Sequence, residues 1–201
     1  MRIWVGIDPG SAWTGYACVV RHKKQYTLQT CSISTSNGLH RITSILQKHF
    51  GLFDEGHVWA EDFKLRPLGH QQFNRGGTLR LLGSLEFVTR QEEFGWDLIQ
   101  PGDIEGDLKG LGFVKWLKKW KKMWPSADRG QWGHAFSAWR VLGMGLVRNG
   151  NREDDKALLK VLRRPPKPHR SEYAVPALLP NPIDLTSPVI TFTGKPRKKK
   201  K

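Results

Sequence analysis

Two carboxylates stand where short apolar runs end. Asp8 closes Ile3-Trp4-Val5-Gly6-Ile7 directly before Pro9-Gly10, and Glu61 closes His57-Val58-Trp59-Ala60. A carboxylate at the end of an apolar strand is costly to bury unless it is paired or bound to a cation. In a layered α/β sheet those strand ends open into the crevice where ligands bind. Brought side by side, the two acids would make an oxygen-rich site for Mg²⁺. Kept apart, each is a cap or one half of a salt bridge, and spacing alone leaves both alternatives open.

The elements that must position these acids can be traced along the chain. Ile3 to Asp8 alternates as a strand and runs into a Pro-Gly turn; Trp13 to Val20 and Tyr26 to Ser34 are two more strands, joined through Arg21-His22-Lys23-Lys24. Asn37 or Ser36 caps a helix whose apolar positions are Leu39, Ile42, Ile45, Leu46 and Phe50, with Gly51 as its stop. His57 to Glu61 is a fourth, buried strand. A helix from Thr78 carries Leu79, Leu82, Leu85, Phe87 and Val88; a short strand, Trp96 to Ile99, ends at Pro101; Phe113 to Trp124 and Gly133 to Val147 read as further helices. Three hairpin-linked strands followed by strand–helix crossovers describe an α/β mixed sheet covered by helices.

The chain has 201 residues and a formal net charge of +15, with nine Trp and nine Phe to build a core. That balance points to a polyanionic partner rather than a small neutral metabolite. Two cysteines without a C-x-x-C pair argue against a disulfide scaffold or a zinc finger. No run approaches the roughly 20 apolar residues needed to cross a bilayer, so a soluble protein with no membrane partner is expected. Residues 1–150 hold 20 Lys and Arg against 13 acids, while 151–201 hold 13 against 5, and all nine Trp lie at or before Trp139. The expected organisation is a catalytic domain over 1–150 and a basic, Pro-rich, largely disordered tail over 151–201, opening on a short helix from Asp154 to Leu162 and separable from catalysis.

Gly6-Ile7-Asp8-Pro9-Gly10-Ser11, followed by Thr14-Gly15-Tyr16-Ala17, resembles the first motif of the RuvC-type Holliday-junction resolvases, a branch of the RNase H-like nuclease superfamily. Trp59-Ala60-Glu61-Asp62-Phe63 resembles the second motif, and Leu79 through Gly83 and Trp96 to Pro101 are similar to the helix and fifth strand that follow. The resemblance spans about residues 3 to 147. It implies an RNase H-like mixed sheet, three antiparallel strands plus two parallel ones flanked by helices, with Asp8 and Glu61 as metal ligands. Actin-like ATPases share a D-x-G-x-T start, but their second phosphate-binding repeat is not found in this chain.

The third motif departs from the family's D-x-x-D or H-x-x-D. In Gly133-His134-Ala135-Phe136-Ser137-Ala138, His134 matches the first ligand and Ser137 stands in place of the last acid. Residues three apart share a helix face, so both can address one site, although Ser is a neutral and weaker ligand than Asp. Ser137 directly or through water, or Asp128 upstream, would complete the set, unless the enzyme is impaired. The family implies two Mg²⁺ or Mn²⁺ per active site, with Asp8 bridging them, Glu61 holding one, and His134 with Ser137 orienting the other ion or the attacking water. It further implies 5′-phosphate and 3′-hydroxyl products, a homodimer, and branched DNA as partner. The compact size, altered third motif and basic tail point to a divergent, phage-type member acting in the cytoplasm of a bacterial or phage-infected cell. Two alternatives on the same fold are a non-catalytic or impaired junction-binding protein and a nuclease of RNA–DNA hybrids or flaps.

Two stretches are candidates for DNA contact. Lys64 to Gly77 (KLRPLGHQQFNRGG) is basic and rich in Gly and amides, and resembles the family's junction-contacting loop; Lys64, Arg66 and Arg75 would meet phosphate and Phe73 would insert among unpaired bases. In Phe113 to Trp124, Lys115, Lys118, Lys119 and Lys122 surround a row of Trp116, Trp120 and Trp124, which reads either as a core stripe with a basic outer face or as a base-stacking surface.

Overall fold

The computed structural model describes residues 1–10, 12–23, 25–35, 39–62, 75–100, 108, 129–163, 169–170, 185–186 and 190–193. Strand β1 (Arg2–Asp8) pairs antiparallel with β2 (Trp13–His22), which pairs antiparallel with β3 (Gln25–Ser34). After helix α1 (Leu39–Phe50), β4 (Glu55–Glu61) returns parallel to β1 on its other side. Helix α2 (Arg75–Gln91) then leads to β5 (Gly95–Ile99), parallel to β4. The five strands are the mixed set expected from the sequence. Each parallel return carries a helix, as a parallel connection must, because its ends lie at opposite edges of the sheet.

Strict alternation divides the side chains between two cores. Ile3, Val5, Ile7, Tyr16, Cys18, Val20, Val58 and Ala60 face α1 and α2, whose Ile42, Leu46, Phe50, Leu81, Leu85 and Val88 meet them. Trp4, Ala17, Val19, Leu28, Trp59 and Ile99 face the opposite way, onto helix α3 (Arg129–Asn149) and its buried Ala138, Trp139, Leu142 and Leu146. Two of the α2 positions expected in the core are on the surface instead: Leu79 is 46% and Phe87 63% exposed. Leu81, which falls one residue off the assumed spacing, is buried in their stead.

Helix α3 lies unusually close to the sheet because glycines line its path. A Cβ on Gly15 would sit 1.9 Å from the His134 carbonyl oxygen, and one on Gly6 would sit 2.2 Å from the Ala138 carbonyl oxygen and 2.7 Å from Leu142. Further along the helix the roles reverse, and Gly145 makes room for the Trp59 ring. The helix therefore crosses from β2 over β1 to β4 as it runs toward Asn149. The Thr30 hydroxyl, within 3.1 Å of the Ala135 carbonyl oxygen, ties its first turns to β3.

The expected boundary at residue 150 does not mark the end of the folded unit. Helix α4 (Glu153–Arg163) follows α3 after three residues and buries Leu158, Val161 and Leu162 in the α3-side core. Its Asp155 accepts from Arg2 Nη2 at 2.9 Å and Trp4 Nε1 at 2.7 Å. Its Asp154 pairs with Arg21. Short strands β6 (His169–Arg170), β7 (Leu185–Thr186) and β8 (Ile190–Thr193) add to the sheet, β7 and β8 along β3 and β6 along β8. The short helix expected over Asp154 to Leu162 is present, but composition, which registers Pro and Lys, does not register that it docks on the core or that β3 has an open edge. An unpaired edge leaves a row of backbone donors and acceptors that a further strand satisfies.

Candidate active site

The register of β1 against β4 assembles the two acids. Ile7 lies opposite Ala60, so the next residues, Asp8 and Glu61, stand side by side on adjacent strands, at the strand spacing of about 4.8 Å. Alternation sends both to the α3 face, Asp8 in step with Trp4 and Gly6, and Glu61 in step with His57 and Trp59. Above them, α3 delivers His134, whose Nδ1 lies 2.7 Å from Asp8 Oδ2. The imidazole rests on the turn after β1. A Cβ on Gly10 would come 2.7 Å from His134 Cε1, so the glycine is required by this close approach.

The electrostatics follow from crowding. Glu61 is pushed up to about 7, first by burial and then by the adjacent Asp8, through both its charge and a hydrogen bond; the nearby Arg140 and His134 pull the other way. His134 is raised above the ordinary imidazole value chiefly by its hydrogen bond to Asp8, with burial opposing. Asp62, the next acid, is not part of this group. Its side chain accepts from Gln100 Nε2, and its backbone N–H donates to the Ile99 carbonyl at 2.8 Å.

The donor set suits a hard divalent cation. Two half-buried carboxyls in contact disfavour their shared ionisation unless positive charge joins them, and oxygen donors with one imidazole match Mg²⁺ or Mn²⁺. With Asp8 bonded to His134 as it stands, the described residues contain no three His, Cys, Asp or Glu side chains already arranged around an ion position. Asp8, Glu61 and His134 are thus brought together. Ser137 lies one turn further along α3, partly buried. Arg75 opens α2. Asp128, Lys64, Arg66, Phe73, Lys115, Lys118, Lys119 and Lys122 lie outside the described residues.

Sequence reasoning missed Arg140 and the contact of Asp155 with β1. For Arg140 the available signal was its spacing of three from Ser137, itself three from His134. For Asp155 it was an acid in the first turn of an amphipathic helix, which is a common feature and names no partner.

No protein-family profile matches the chain, and no curated protein matches it by sequence. Solved structures do. Thermus thermophilus RuvC in complex with a Holliday-junction substrate is similar at 13% identity, covering 75% of this chain and 97% of that one, with a TM-score of 0.50. Thermus thermophilus RuvC alone is similar at 16% identity, covering 74% of this chain and 96% of that one, with a TM-score of 0.45. The first likeness establishes the fold: a RuvC-like, RNase H-like mixed sheet flanked by helices. Among the described residues no helix is long and apolar enough to cross a membrane.

Proposed function

We propose that this chain is a divalent-metal-dependent endodeoxyribonuclease that nicks four-way or other branched DNA, working as a homodimer and leaving 5′-phosphate and 3′-hydroxyl ends. The meeting of Asp8, Glu61 and His134 at one end of a RuvC-like sheet carries the reading. Two further facts support it: the solved complex of the same fold holds a Holliday junction, and the net charge of +15 suits a polyanion.

When bound, Mg²⁺ or Mn²⁺ supplies Lewis acidity and a more acidic water, so that a phosphodiester can be hydrolysed at neutral pH. Asp8 and Glu61 would hold the metal, and without a cation their charges would repel the substrate. The Asp8 hydrogen bond engages His134 Nδ1 and orients the ring. Nε2 is then the nitrogen available to take a proton from the attacking water. Ser137, on the same side of α3, is the neutral remainder of the set. Lys64, Arg66, Phe73 and Arg75, with Lys115, Lys118, Lys119 and Lys122, are the proposed DNA contacts.

The test is cleavage of a labelled four-way junction with Mg²⁺ or Mn²⁺, beside linear duplex, flap and RNA–DNA hybrid. Junction nicking that Asp8→Asn abolishes while junction binding persists is the expected result. Binding without nicking by the unaltered protein in either metal would instead make it a junction-binding protein, and preference for the hybrid would make it an RNase H-type enzyme. Undiminished cleavage by Asp8→Asn would remove the metal-site assignment.

A further inference from the structure

We propose that Arg140 acts as a built-in cation of the active site, gripping the scissile phosphodiester from the position that a second metal ion would otherwise serve, so that each chain binds a single divalent ion. The proposal rests on the nuclease reading above and replaces the pair of ions that the family resemblance implies.

Placement on α3 is the first support. The His134 carbonyl lies against Gly15 of β2, Ala138 and Leu142 against Gly6 of β1, and Gly145 against Trp59 of β4. Arg140 falls within the second of these contacts, between Ala138 and Leu142 over β1, before the helix passes on to β4 at Gly145; β1 and β4 are the two strands that end in Asp8 and Glu61. Its neighbours Ala138, Trp139, Val141 and Leu142 are fully buried, whereas Ser137 and Arg140 are only partly so. Residues three apart share a flank of a helix, so Ser137 and Arg140 lie on one side of α3, at the margin of its buried stripe. In keeping with this placement, the charge of Arg140 favours the ionised Glu61 carboxyl, against the larger effect of burial.

Charge balance is the second support. The described site offers two carboxylates, Asp8 and Glu61, and a neutral hydroxyl where an acid would complete the ligand set. One divalent ion together with Arg140 leaves a single surplus positive charge, which a phosphodiester neutralises. A second ion would leave three, in a partly buried place where uncompensated charge is expensive. The substitution of Ser for an acid at position 137 and the presence of a cation at position 140 therefore belong together: the first removes a ligand, and the second removes the need for it. Chemically, a guanidinium suits this part. Its planar fork donates two parallel hydrogen bonds to phosphate oxygens, and arginine placed on a reacting phosphoryl group stabilises the charge that develops there.

Mn²⁺ titration followed by electron paramagnetic resonance gives a readout independent of activity. The full chain should bind one Mn²⁺, Asp8→Asn should lose it, and the double variant Ser137→Asp/Arg140→Gln should bind two. Two ions on the unaltered chain, or none, would overturn the proposal. Single-turnover cleavage of a four-way junction supplies the second measurement. Arg140→Gln should slow it by about 10³-fold with junction affinity little changed, and Arg140→Lys should recover part of the rate. A rate for Arg140→Gln equal to that of the unaltered protein would also overturn the proposal. Thermal unfolding of both variants separates a lost role from a lost fold, and where Gln does not fold, the Lys variant and the ion count decide. Should the unaltered protein cleave no branched DNA, the nuclease reading fails, while the Mn²⁺ count still decides the one-ion arrangement.

Discussion

Replacing Asp155 with Ala should unfold far more than the helix that carries it. The carboxylate is 5% exposed and accepts at Oδ1 from Arg2 Nη2 and Trp4 Nε1, at 2.9 and 2.7 Å. At Oδ2 it accepts from the backbone N–H of Arg152, at 3.1 Å, capping α4. Breaking a buried ion pair from one side costs about 3–5 kcal/mol. Arg2 keeps Asp154 at 3.5 Å and Glu55 at 3.7 Å, both partly exposed, which holds the cost toward the lower end. The fully buried Trp4 loses the acceptor for its N–H and adds about 1 kcal/mol or more. The expected total is about 4 kcal/mol, a large share of the roughly 5–15 kcal/mol that stabilises a domain. In urea, at a slope of about 2–3 kcal/mol per molar, the midpoint should fall by about 1.5 M. Asp155→Asn keeps one acceptor oxygen and should lose about half as much. Hydrogen exchange should show β1 and α4 amides losing protection together. A midpoint within about 0.2 M of the unaltered protein, or exchange confined to α4, would refute the reasoning and restore a detachable segment after residue 150.

Three further outcomes follow from the same geometry. Gly6→Ala would place its Cβ 2.2 Å from the Ala138 carbonyl oxygen, where ordinary contact begins at 3.4 Å, so α3 backbone must retreat by about 1.2 Å; a loss of about 1–3 kcal/mol together with slower cleavage is expected, and an unchanged melting temperature would show that α3 does not lie so close. His49 is buried against Tyr16, whose hydroxyl is 2.8 Å from Nδ1, and burial lowers its pKa from 6.5 to about 3. Because the unfolded chain takes up this proton below pH 6.5 and the folded one does not, stability is complete above that pH and falls by about 1.4 kcal/mol per unit toward pH 3; urea midpoints for His49→Gln should show a shallower slope between pH 6.5 and 5, and parallel slopes would contradict this. Deleting residues 151–201 removes Leu158, Val161 and Leu162 from the α3-side core, so circular dichroism melts should show a destabilised protein rather than an intact one with weaker DNA binding.

Much of the site was legible in the chain itself. Alternation in residues 3–8 and 57–61 marked two strands and placed an acid at the end of each, because side-chain direction in a strand has period two. The sequence of strands and helices through residues 3–62, 75–99 and 133–147 was readable from local periodicity, whereas His134 was singled out by resemblance to the family's third motif. Alternation does not say which strand lies beside which, or in what register. Only the folded sheet set Ile7 against Ala60 and thereby Asp8 beside Glu61. Only the descent of α3 over Gly15 and Gly6 brought His134 onto Asp8 and carried Arg140 toward Glu61. The largest misreading, the tail, has the same origin. Basic and Pro-rich composition describes residues 151–201 one at a time, whereas Asp155 is held by Arg2 and Trp4 from the opposite end of the chain. Periodicity is a property of neighbours along the chain, and charge pairing and strand register are properties of neighbours in space. The sequence therefore determined which residues were equipped for chemistry, and the tertiary structure decided which of them meet.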